Sequence, residues 1–128
     1  MPRSATPESL VERFRSACER LPEVEERPSH GAPTLFVRGK KSFAMLWADG
    51  HHDDRFPHLW LAAAPGAQGE LIASDPQQFF RPPYVGHRGW VGVRLDRGVA
   101  DDELRELCED AFRAVAPKTL VRSLDETE

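Results

Sequence analysis

Apolar positions recur with a helical period at both ends of the chain and with a strand-like period between them. Leu10, Phe14, Ala17, Cys18 and Leu21 mark one face of a helix over residues 7–20. Thr6 is its N-cap, Pro7 sits in its first turn, Glu8 lies near the positive dipole end, and Pro22 stops it. Leu104, Leu107, Cys108, Ala111, Phe112 and Val115 form a second stripe on a helix that Asp101 caps, with Asp102 and Glu103 in the first turn. Pro117 interrupts it. Leu120 and Leu124 predict one more short helical piece before a solvated DETE tail, and residues 1–5 are expected to fray.

Between the helices the pattern predicts an edge strand over 23–29, a strand over 34–37, a glycine-centred turn over 38–41 and a returning strand over 42–47. A polar loop, ADGHHDDR, follows, and then a strand within 56–63 that starts after Pro57. Pro65-Gly66 breaks the chain, and residues 69–75 form a short helix with Leu71, Ile72 and Ala73 toward the sheet. The stretch FFRPPYVGHRGWVGVRL (79–95) is a rigid, kinked loop that delivers Tyr84, His87 and Arg88 to the mouth of a strand over 90–95. The order is helix, three or four antiparallel strands, short helix, strand, helix. It gives an α+β two-layer sandwich with both long helices on one face of one sheet. The whole chain, 1–128, reads as a single domain with an ordered core of about 7–118.

Composition is that of a soluble globular protein, 40% hydrophobic and 30% charged. No apolar run approaches the roughly 20 residues that span a bilayer, and MPRSATPES carries no apolar secretory core. The expectation is a cytoplasmic monomer that engages no membrane. Cys18 and Cys108, far apart and without a CxxC spacing, read as buried free thiols. The net charge of −4 is uneven: residues 27–97 hold nine cations against six anions, so the flanks carry −7. A mildly basic sheet region beside acidic helices permits a local anion-binding surface while arguing against general coating of nucleic acid.

Three segments in register, LPEVEERPSHGAPTLFVRGKKSFAML, FFRPPYVGHRGWVGVRLD and DDELRELCEDAFRAVAPK, resemble the MmcQ/YjbR family of small bacterial proteins over nearly the whole chain. The Gly39-Lys40 turn and Pro82, Pro83, His87, Gly89 and Trp90 match that family's pattern. The resemblance implies a frataxin-like (CyaY-like) fold, a curved antiparallel sheet backed by N- and C-terminal helices. It also implies a DNA-binding role through a "double wing" of two hairpin features on double-stranded DNA. The tail departs from the family, since Asp125, Glu126 and Glu128 dilute Lys118 and Arg122.

On this reading Arg38, Lys40 and Lys41 at one bend, and Arg81, Tyr84, His87 and Arg88 at another, are neighbours on one exposed surface. The cations contact phosphates and Tyr84 stacks or meets a sugar. The plainer reading makes the first bend an ordinary turn whose lysines guard a strand edge, and the second a loop tied down through Tyr84 and His87. Trp47, Trp60 and Trp90 fall in strands and serve chiefly as packing, Trp90 as core. His51, His52, Asp53, Asp54 and His58 lack the spacing of a zinc site, and Glu8, Glu12 and Glu19 are interleaved with Arg13, Arg15 and Arg20 as on a solvated face. No nucleophile–base constellation, GxSxG, HExxH, Walker A or GxGxxG pattern is present. A non-enzymatic protein without cofactor is therefore expected, one that binds DNA weakly through the two basic bends. The alternatives are a small-ligand or protein-binding module with a pocket under Tyr84, His87 and Trp60, or a frataxin-like metal binder on the first helix.

Overall fold

The computed structural model describes residues 6–51 and 54–127. Helix α1 (Pro7–Cys18) opens with Thr6 extended, its hydroxyl accepting the Ser9 N–H at 3.2 Å. It ends two residues earlier than its apolar spacing predicts. The N–H groups of Glu19 and Leu21 bond back three residues, to Ser16 and Cys18, and this tighter turn buries Leu21. Helix α3 (Asp101–Val115) carries Leu104, Cys108, Ala111 and Phe112 as its buried stripe. Its N-cap is Ala100, not Asp101. Asp101 lies in the first turn, where it accepts a 2.8 Å bond from Arg13 of α1. Helix α4 (Lys118–Thr127) is longer than the short piece expected: Leu120 and Leu124 are buried, and Asp125 pairs with Arg113 at 2.6 Å. The expected fraying of residues 1–5 lies outside the described residues.

Six strands form one open antiparallel sheet, β1 (Val24–Ser29), β2 (Ala32–Val37), β3 (Lys41–Trp47), β4 (His58–Leu61), β5 (Phe79–Phe80) and β6 (Val91–Arg94), in the order β1-β2-β3-β4-β6-β5. Strand β5 is not among the expected strands, since two residues are too few to show alternation. Helix α2 (Ala67–Ser74) buries no residue fully, and Leu71 and Ile72 reach the core only in part. The expected α+β two-layer architecture holds. Helix α3 lies on β3 and β4, α1 lies on α3, and Arg15 of α1 donates two 2.8 Å bonds to Glu26 of β1.

The center of the helix layer is Phe43 edge-on to Phe112, centroids 5.7 Å apart, with Phe14 nearby in the same fully buried core. Cys18 and Cys108 are free and buried there; the hydrogen bond between them, and then burial, push the Cys18 thiol far up, so Cys18 is not poised as a nucleophile. The acidic residues Glu8, Glu12 and Glu19 are exposed on α1.

One irregularity decides what the other face carries. The β2–β3 register slips between Leu35 and Phe36, pairing Leu35 with Ala44 but Phe36 with Ser42, so Phe43 is the extra residue of a β-bulge. Phe43 therefore stays on the helix side, and Ser42, Met45 and Trp47 all emerge on the opposite, helix-free side.

Candidate functional site

The helix-free face of the sheet is aromatic. Register places Trp60 opposite Met45 and Gly92, so all three share that face. Trp60 lies 4.9 Å from Trp47, centroid to centroid, and His51, from the loop after β3, lies 4.8 Å from Trp47 and 5.3 Å from Trp60. The strip continues through His58, Phe80 and Phe56, with spacings of 5.3–5.5 Å among these three. Gly92 makes this possible: a Cβ there would come within 2.3 Å of the Phe80 ring.

The loop between β5 and β6 folds over one end of this strip. Tyr84 adopts a left-handed backbone (φ 64°), stays 65% exposed, and brings its ring to 5.9 Å from His51 and 6.4 Å from Trp60. A bulky residue in this conformation is uncommon and marks stored strain. A 3₁₀ turn, Gly86–Arg88, follows, and Gly89 (φ 86°) returns the chain to β6. Trp90 precedes β6 instead of opening it, because its N–H is directed to the Val85 carbonyl. The loop is fastened by α2: the Gln68 amide donates to the carbonyls of Gly86 (2.9 Å) and Trp90 (2.5 Å). The plainer of the two sequence readings gives that tether to Tyr84 and His87; the side chain that fastens the loop to α2 is Gln68, which composition and spacing do not single out.

Between loop and sheet lies a cleft of about 600 Å³. Its wall is Trp47, Trp60, Trp90, Tyr84, His51 and Met45; Ser29, His30 and Ser42 border it on one side and Arg88 on the other. Arg88 is exposed, stands 5.3 Å from the Trp90 ring, and has no carboxylate partner among the described residues. The indole N–H groups of Trp47 and Trp60 are buried without a hydrogen-bond acceptor among the described residues. Buried indoles ordinarily find one. The cleft thus offers stacking surface and one cation without a carboxylate partner among the described residues, and two of the rings in its wall carry buried, unmatched N–H groups.

His58 is fully buried at the other end of the strip. Its Nδ1 is 2.7 Å from the Phe56 carbonyl, which assigns the proton to Nδ1 and leaves Nε2 as a bare acceptor with no partner among the described residues. Burial drives its pKa below the ordinary imidazole value, more than the Phe56 carbonyl and the Asp54 carboxylate raise it. His51 lies against the rings of Trp47, Trp60 and Tyr84, and His58 against those of Phe56, Phe80 and Trp60. No group of three His, Cys, Asp or Glu suited to a metal ion occurs among the described residues; His52 and Asp53 lie outside them.

The basic residues singled out from the sequence separate into two groups. Arg88 and Tyr84 border the aromatic cleft, with Arg81 and His87 exposed in the same loop and the Arg81 stem packed along Gly86. Arg38, Lys40 and Lys41 border a different groove, with Val115, Ala116, Pro117 and Lys118 at the α3–α4 junction. The expectation that the two bends are neighbours on one surface is therefore corrected. Lys41 is registered with Val37, and Arg38 is held by Glu23 at 3.0 Å, which draws this bend to the helix layer and balances one of its charges. The alternative reading puts a pocket under Tyr84, His87 and Trp60; the cleft lies around Tyr84 and Trp60, without His87 in its wall. Ser29, His30, Ser42 and Trp47 join it through strand register, which spacing alone does not reveal.

Known proteins place the fold and the lineage. The protein DR2400 of Deinococcus radiodurans, a DUF419 domain, superposes with a TM-score of 0.69 at 22% identity over 95% of this chain and 92% of that one, a likeness of fold. The S-adenosylmethionine:tRNA ribosyltransferase-isomerase of Acidiphilium cryptum (strain JF-5) is 32% identical over 104 residues, 80% of this chain. The matched segment is only 27% of that enzyme, so the chain spans about a quarter of its relative's length. The family model YjbR matches residues 19–114, from the end of α1 to the last turn of α3, and so takes in the whole sheet and the cleft. The chain belongs to the YjbR family.

Proposed function

We propose that this protein is a non-enzymatic binding module that holds a small planar ligand in the aromatic cleft between the β5–β6 loop and the helix-free face of the sheet. The observation that carries this reading is the pair of buried, unmatched indole N–H groups of Trp47 and Trp60 in a cleft walled by aromatic rings. An apolar cavity with a few convergent polar groups is the ordinary form of a small-molecule site. A strained aromatic residue at its mouth, Tyr84, supports the same reading.

The duplex-binding reading has narrower support. Phosphate contact would fall to Arg81, His87 and Arg88, exposed together in one loop, since Arg38 is paired and its bend lies by the α3–α4 junction. Three such groups give weak, steeply salt-dependent association.

Nuclear magnetic resonance of ¹⁵N-labelled protein separates the two. A panel of planar aromatic fragments at physiological salt is expected to move the Nε1–H signals of Trp47 and Trp60 saturably. If no fragment moves them, while a short DNA duplex at low salt shifts the 81–88 amides, the cleft reading fails and backbone contact replaces it.

A further inference from the structure

The charge around the cleft narrows the chemistry of what it holds. Among the described lining residues there is no carboxylate; Arg88 is the sole full charge. Most other arginines whose contacts are described have acidic partners: Arg13 with Asp101, Arg15 with Glu26, Arg38 with Glu23 and Arg94 with Asp96. Arg88 instead rests against an aromatic face, the placement that leaves its N–H fork open for an incoming group. Ser29 and Ser42 add hydroxyls on the opposite border, and the two indoles present donors and no acceptors. An aromatic box of tryptophan and tyrosine also suits a quaternary ammonium ion. Here the cation already in the wall opposes one, and no carboxylate among the described lining residues offsets it.

Resting on the cleft reading above, we infer that the ligand is a planar heteroaromatic anion. Its ring stacks among Trp47, Trp60 and Tyr84, its ring acceptors meet the indole N–H groups, and its carboxylate or phosphate is paired with Arg88 at the rim. Arg88 confers the sign of the charge, and the indoles confer the demand for a ring with acceptors in its plane.

Three ring-matched probes test this: quinoline-2-carboxylate, neutral quinoline and cationic N-methylquinolinium, titrated into the full chain while the indole N–H signals are followed. Quinoline-2-carboxylate is expected to bind tightest. In Arg88→Met its affinity should fall about tenfold while quinoline is unaffected, the loss expected of one charge-assisted pair, with Arg88→Lys between the two. Arg88 is exposed, so the fold tolerates both variants. Quinoline or N-methylquinolinium binding as tightly as the anion, or an Arg88→Met protein that keeps full affinity for the anion, overturns the inference and leaves the cleft as a binding site. Indole signals unmoved by all three probes remove both.

Discussion

The phenol of Tyr84 stands edge-on to the imidazole of His51, ring centroids 5.9 Å apart and planes crossing at 73°. One ring comes from the loop after β3 and the other from the loop after β5, so this contact closes the mouth of the cleft across four strands. It is made by a residue whose backbone would prefer glycine.

Tyr84→Gly separates the two roles. Relief of the left-handed strain, about 1 kcal/mol, is offset by the greater freedom of the unfolded glycine, about 0.5–1 kcal/mol. Chemical denaturation is expected to show stability within about 1 kcal/mol of the parent. Binding of quinoline-2-carboxylate should nonetheless weaken at least fivefold. An unchanged affinity would show that the ring plays no part in the site.

Gln68→Ala removes both bonds that fasten the loop to α2. Two partly buried carbonyls lose their donor, a cost of about 1–3 kcal/mol. Hydrogen exchange should quicken at residues 84–90 and stay slow in β2 and β3. Uniform acceleration over the sheet would mean that Gln68 supports the whole fold and not the loop alone.

His58 gives a pH dependence with a definite sign. Its folded pKa lies below the unfolded value of about 6.5 because burial disfavours the imidazolium. The unfolded chain therefore takes up a proton first as pH falls, and stability drops from about pH 6.5 downward. Above that value the contribution is complete. Glu26 and Asp96, with pKa values lowered by Arg15 and Arg94, act in the same direction at lower pH, below the carboxylate range of the unfolded chain. Stability measured from pH 8 to pH 5 should decline in the parent and decline less in His58→Gln. Parallel curves would remove His58 as the cause.

Gly92→Ala tests the close approach of Phe80. The new Cβ would lie 2.3–2.5 Å from three ring carbons, so the ring must move and drag β5 with it. A loss of about 1–3 kcal/mol is expected in denaturant unfolding. Adding Phe80→Leu should recover part of it, and failure to do so would locate the strain in the backbone of β6.

Much of the helix layer was legible because its signal is local. Leu104, Cys108, Ala111 and Phe112 declare a helical face by spacing alone, and Thr6 declares a helix start by chemistry. The sandwich followed from element order, and the MmcQ/YjbR resemblance agreed with it. Tyr84 and Trp60 were named as the surroundings of a possible pocket from the character of the 79–90 stretch. What stayed hidden depends on pairing. Asp101 looks like a cap until Arg13, 88 positions earlier, is beside it. The two basic bends look like partners until Glu23 and Lys41 are seen to draw the first one to the helix layer. Gln68 belongs to a weak helix and is invisible as a tether without its two carbonyls.

The misfit at Leu35 and Phe36 has a bearing on how this family can vary. With Phe43 deleted, strict alternation would return along β3, and Lys41, Ser42, Ala44, Met45, Leu46 and Trp47 would each keep the side of the sheet they now occupy. The loss would fall on the helix layer, where Phe112 would be without the ring that meets it edge-on. Loss of that one codon would thus take a ring from the packed layer and leave the rings of the open side in their places.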